Sequence, residues 1–156
     1  METKNIEKYI PCGVVVAMAV LFALAHGGYS FLSGFLGFFL CLAAMLKFFD
    51  LQGFQQAFQE YDIVTQRYPF YGYLFPLFEM ILGLGFITNT LPILVSLLTL
   101  VLMSVTAFGV IRCTLSGKKA TCAFMGTVFN HALSTMSIVG IVGVALLALI
   151  NLVRSI

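Results

Sequence analysis

The sequence predicts an all-α membrane protein: a polytopic helical bundle of five spans, with an amphipathic helix in the membrane interface between the second and third. Three observations lead there. Hydrophobic residues make up 61% of the 156 residues and charged ones only 9%. A soluble domain carries about 25% charged residues, so this chain cannot cover a water-facing surface. Five apolar runs approach the roughly 20 residues needed to cross a bilayer. Between these runs stand turn-forming and helix-breaking residues. Helices follow because each satisfies its own backbone hydrogen bonds in lipid.

The first predicted span covers about residues 9–25 and follows a short N-terminus of mixed charge (Glu2, Lys4, Glu7, Lys8). No clear small-x-small cleavage site with a soluble domain after it is present, so it reads as a retained span and not a signal peptide. The second covers about residues 29–49, the third 71–87, the fourth 91–111 and the fifth 128–153. His26-Gly27-Gly28 separates the first two spans. Thr88-Asn89-Thr90, with Pro92, separates the third and fourth, and Ser116-Gly117-Lys118-Lys119 separates the fourth and fifth. The stretch from Leu51 to Gln66 is half polar. Leu51, Phe54, Phe58, Tyr61 and Thr65 share one helical face, while Gln52, Gln55, Gln56, Gln59 and Asp62 fall elsewhere. That pattern is expected of an interfacial helix. Tyr68, Tyr71 and Tyr73 suit headgroup depth.

Basic residues orient the bundle. With five spans, Lys4, Lys8, Lys47, Arg67, Arg112, Lys118 and Lys119 lie on one side and Arg154 alone on the other. The excess marks the cytoplasmic side, so the N-terminus is expected in the cytoplasm and the C-terminus outside. No long Lys/Arg run suggests a nucleic acid partner. The surroundings implied are the lipid bilayer, and glycines at 34, 37, 83 and 85 can seat helix contacts within the chain or in an oligomer.

Few residues can carry chemistry. Glu79 falls near the middle of the third span, where an ionisable group marks either a functional site or a packing contact. Pro76 precedes it by one turn and can free a backbone carbonyl. Lys47 can pair with Asp50 three residues on, snorkel to the interface, or reach Glu79 or Asp62. These four residues form a candidate intramembrane polar site. Cys113, Cys122 and His131 gather around one cytoplasmic link. Thiols and imidazole suit a soft ion such as copper, and Arg112, Lys118 and Lys119 would favour a thiolate. The plainer alternative is two unrelated thiols, since Cys-x8-Cys-x8-His is no known metal signature. Cys12 and Cys41 read as small hydrophobes. His26 reads as a solvated turn residue, and Ser134, Thr135 and Ser137 as helix-contact hydroxyls. There is no Ser-His-Asp set, phosphate loop or paired-carboxylate arrangement.

Lys47-Phe-Phe-Asp50-Leu-Gln-Gly-Phe54, then Tyr61-Asp62, then Tyr73-Leu-Phe-Pro76-Leu-Phe-Glu79, resembles the MauE branch of the DoxX-like membrane proteins, named for methylamine utilisation. Thr121-Cys122-Ala-Phe124-Met-Gly126 and Leu133-Ser134-Thr135 resemble the family's later segments, with Phe124 in place of a second cysteine, Ala132 in place of proline and Gly140 in place of an acidic residue. The resemblance implies a four-helix domain at residues 29–156, preceded by an added N-terminal span at residues 1–28. It implies a bacterial inner-membrane protein tied to thiol redox and protein maturation, working with a thioredoxin-like or metal-carrying partner and not as a stand-alone enzyme. Cys122 would be the reactive thiol and Cys113 its partner. A soft-cation helper using Cys113, Cys122 and His131, and a non-catalytic subunit, are the alternatives.

Overall fold

A computed structural model describes residues 3–25, 31–117, 121–122, 131–132 and 135–156, with side chains described for residues 13–25, 31–117 and 138–156. Among these residues the chain forms seven helices: α1 Thr3–Ala25, α2 Phe31–Phe48, α3 Leu51–Gln59, α4 Ile63–Arg67, α5 Pro69–Ile87, α6 Pro92–Leu115 and α7 Thr135–Ser155. Two short strands, β1 (Thr121–Cys122) and β2 (His131–Ala132), pair antiparallel. Four helical segments are long and apolar enough to cross a membrane: α2, α5, α6 and residues 138–155 of α7. The apolar part of α1, Gly13–Ala25, is shorter. At 1.5 Å per residue, helices of 18–24 residues span about 27–36 Å, close to the thickness of a bilayer core.

The chain folds as a polytopic helical bundle. Its outward faces carry residues such as Leu21, Leu97, Phe108 and Val153, all exposed. In water that surface would be a liability; in lipid it is the solvent-facing side. The core holds Leu36, Leu40, Phe54, Phe58, Phe75, Met103, Val110 and Ile141. α2 packs most extensively on α5, and α6 on α7, while α1 lies against α2.

The α2–α5 contact is close because glycine meets glycine. A Cβ on Gly37 would lie 2.7 Å from the Gly83 carbonyl oxygen, and one on Gly83 would lie 2.8 Å from the Gly37 oxygen and 2.7 Å from Cys41 Sγ. Small residues permit this approach in membranes, where packing drives helix association. α5 and α6 both begin on proline, whose missing N–H costs nothing at that position. The turn between them places Asn89 and Leu91 in the left-handed region. Asn tolerates that backbone readily, whereas a branched-chain residue rarely adopts it.

Two expectations need correction. The fifth span was expected from residue 128. Its helix starts at Thr135, and His131–Ala132 instead forms a strand. Apolar composition alone cannot tell a short strand from a helix start. The polar stretch between the second and third spans is two helices, not one. Asp62 ends the run by accepting hydrogen bonds from Thr65 N and Oγ1, both 2.8 Å, which starts α4 afresh. The apolar face is as expected, with Phe54, Phe58, Tyr61 and Thr65 buried, but Gln55 and Asp62 are buried as well. The Thr88–Pro92 turn falls where expected. Cys12, His26, Ser134, Thr135 and Ser137 lie outside the residues whose side chains are described.

Candidate functional site

A helical side chain leaves its backbone tilted toward the helix N-terminus. Lys47 stands in the last turn of α2, so this tilt sends its amine back into the bundle. Glu79 stands in α5, which packs along α2. The two meet: Lys47 Nζ donates to Glu79 Oε2 at 2.5 Å, and neither side chain is exposed. The C-terminal end of α2 also favours a cation.

Aromatic rings surround the pair. Lys47 Nζ sits 5.6 Å from the ring centres of both Phe54 and Phe75, within range of a cation–π attraction. Phe58 closes the group, 4.6 Å from Phe75 and 5.1 Å from Phe54 between ring centres. Pro76 lies on the same helix, and with no N–H it cannot donate the usual bond to the Gly72 carbonyl. Gly72 leaves room there for Gln55 and Thr65, either of which a Cβ would crowd at 2.9 and 3.1 Å. Glu79 Oε1 has no hydrogen-bond partner among the described residues.

The four candidate residues of the polar site separate into a pair and two caps. Asp50 turns to the start of α3, where it accepts from Gly53 N at 2.9 Å. Asp62 caps α4. Burial raises the Asp62 pKa above the usual carboxylate range, although hydrogen bonds from Thr65 and Val64 oppose the shift. Asp62 Oδ1 is buried with no hydrogen-bond partner among the described residues. Cys41, on α2 before Lys47, is half-buried and donates weakly to the Met80 carbonyl at 3.9 Å.

A cleft of about 130 Å³ opens where the C-terminal turns of α6 meet the corner between α3 and α4. Gly109 sets this junction, since a Cβ there would lie 2.6 Å from the Tyr61 carbonyl oxygen. One turn further along α6, the thiol of Cys113 is free and lines the cleft with Arg112, Ser116, Gln66, Glu60 and Tyr61. Cys122 and His131 stand opposite one another in the β1–β2 ladder, and β1 lies against α3. Their side chains, and so the predicted Cys113–Cys122–His131 ligand set, lie outside the described residues. Among the described residues no group of three His, Cys, Asp or Glu side chains is placed to hold a metal.

A family model described as methylamine utilisation protein MauE matches residues 18–154. The chain belongs to the MauE family. A search of curated proteins and one of solved structures gave no match. The match starts inside α1, upstream of the residues that carried the resemblance. The MauE-like segments of this sequence land on one structural unit: Lys47 and Glu79 pair, Phe54 covers them, Asp50 and Asp62 cap the covering helices, and Pro76 lies one turn from the pair.

One polar cluster escaped the sequence reading. Asn151 in α7 donates from Nδ2 to Ser33 Oγ of α2 at 2.7 Å and accepts at Oδ1 from Ser96 Oγ of α6 at 3.3 Å. All three are buried. The available signal was three hydrogen-bonding residues inside apolar runs, but nothing in their spacing joined them.

Proposed function

We propose that this MauE-family membrane protein takes part in thiol–disulfide exchange with a thioredoxin-like protein, in the service of protein maturation. The supporting observation is the free thiol of Cys113 on the wall of an open cleft at the end of α6, nine residues before Cys122. In this reading the Cys122 thiolate attacks the partner's disulfide. That S–S bond breaks, a mixed disulfide forms, and the partner's second sulfur leaves as a thiolate. Cys113 then attacks Cys122 Sγ, leaving a Cys113–Cys122 disulfide and a reduced partner. Lys47 and Glu79 hold the bundle together. Their complete burial behind aromatic rings suits an anchor better than a path for ions. The bias in basic residues supports a cytoplasmic N-terminus and puts both thiols on that side.

The test is trapping in intact membranes. Cys113→Ser should accumulate a mixed disulfide with a thioredoxin-like protein, because the resolving thiol is gone. Cys122→Ser should form none. Absence of the adduct in both variants would remove the exchange reading. Labelling the thiols from each side would check the orientation.

The second reading is binding of a soft cation such as Cu(I), favoured by the Cys122–His131 register. Protection of Cys122 from alkylation by Cu(I), lost in His131→Ala, would support it; unchanged labelling would exclude it.

A further inference from the structure

The helix α3 joins the buried ion pair to the strand that carries Cys122. It has nine residues, fewer than the roughly 12–15 at which an isolated helix becomes stable in water, so docking must hold it. Leu51–Gln59 contains no ionisable residue, and no ion pair made by α3 itself sets its place. At its start the Asp50 carboxylate accepts from Gly53 N and fills the space that a Cβ on Gly53 would need. On its inner face Phe54 is fully buried, with its ring centre 5.6 Å from Lys47 Nζ and 6.0 Å from that of Phe75. Beside it Gln55, also buried, donates to the carbonyl of Pro69, the first residue of α5, at 3.5 Å. On the other hand β1, Thr121–Cys122, lies against this same helix and pairs with β2. The backbone of Cys122 is thus joined to the bundle interior by a short series: Glu79 to Lys47, Lys47 to the Phe54 ring, and α3 to β1. A buried ion pair is costly to break, so Lys47 and Glu79 make a fixed point. Phe54 is the α3 ring that meets it, through a cation–π contact.

We propose that Phe54 is a positioning residue for Cys122: it locks α3 over the Lys47–Glu79 pair, and α3 in turn sets where β1 presents Cys122 to a protein partner. The proposal rests on Cys122 as the attacking thiol. Phe54 touches neither the thiol nor the partner, and its effect passes through the seat of α3. The α2–α5 crossing does not depend on it, because Gly37 and Gly83 set that approach. Loss of the ring therefore shifts α3 and β1 while the spans stay assembled. A protein partner must meet Cys122 in one orientation, so its exchange slows. A small reagent has no such demand, and its reaction with Cys122 is unaffected.

The experiment uses the full chain in lipid nanodiscs, with Cys113→Ser to stop resolution and oxidised thioredoxin as the protein probe. Peptide mass mapping reads Cys122 alone, both for the mixed disulfide and for alkylation by iodoacetamide. A second preparation, with Cys12, Cys41 and Cys113 replaced by alanine, carries a nitroxide label on Cys122 for electron paramagnetic resonance. Phe54→Leu keeps an apolar side chain but removes the ring over Lys47. It should slow mixed-disulfide formation about tenfold, since a misplacement of about 1 Å costs this much or more, and sharpen the label spectrum. Alkylation of Cys122 should keep its rate. Phe86→Leu makes the same truncation at a buried position near the other end of α5, and should leave exchange and spectrum unchanged. Equal effects of the two substitutions would show general loosening and overturn the proposal. So would equal slowing of exchange and alkylation, or a change in neither or only one of exchange and spectrum in Phe54→Leu. Absence of the adduct with Phe54 in place would remove the exchange reading, and the label spectra alone then decide whether Phe54 positions Cys122.

Discussion

Two buried polar clusters join helices of this bundle, and they use different chemistry. At one end of α2, Lys47 and Glu79 join α2 to α5 through full charges. Near the other end, Ser33, Ser96 and Asn151 join α2, α6 and α7 through neutral hydrogen bonds. The charged cluster is costly to assemble, since both groups leave water, and costly to break, since either alone becomes a bare buried charge. The neutral cluster costs little either way, because hydroxyls and amides find other partners among helices in lipid. The first therefore dictates which helices pair, and the second adjusts how a formed bundle sits.

The largest expected effect tests that contrast directly. Lys47→Met strands Glu79 and should destabilise the bundle by about 3–5 kcal/mol, with much of the loss recovered in the Lys47→Met, Glu79→Leu double variant. Unfolding in mixed micelles would measure it. Additive losses in the double variant would show that the two residues do not act as a pair. Asn151→Leu should cost less, on the order of 0.6–1.7 kcal/mol in the same assay. A loss as large as that of Lys47→Met would erase the distinction between the two clusters.

The smallest effect concerns Asp62, which lies outside the spans. Burial raises its pKa, so the folded protein holds that proton more tightly than the unfolded chain does. Stability is then greatest below the ordinary carboxylate range and falls as pH rises through the raised value. Asp62→Asn keeps an acceptor for Thr65 and a good helix cap. It should flatten that part of the pH profile and raise stability slightly at neutral pH. An unchanged profile would show that Asp62 is not its source.

Much of this was legible in the sequence because lipid leaves few options. Apolar runs, Pro92 and Thr88–Asn89 place α5, α6 and their turn within a few residues. Lys47 and Glu79 stood out as charges among apolar neighbours. Their pairing did not, because Asp50 and Asp62 are nearer to Lys47 in sequence and only the α2–α5 crossing decides among them. Gln55 and Asp62 were assigned to the polar face. In a membrane protein the interior also receives polar groups, so amphipathic pattern does not separate inside from outside as it does in water. The short strands at 121–122 and 131–132 were hidden for another reason: two-residue pairings leave no periodicity to read.

The glycine crossing of α2 and α5 has a consequence for tolerance. Lys47 has a fixed reach, and the distance it must bridge is set by how closely the two backbones approach at Gly37 and Gly83. A single methyl group at either position widens that gauge, and the fit of an ion pair elsewhere along the helices goes with it. The smallest side chains in the bundle thus govern whether its only fully enclosed ion pair among the described residues can close.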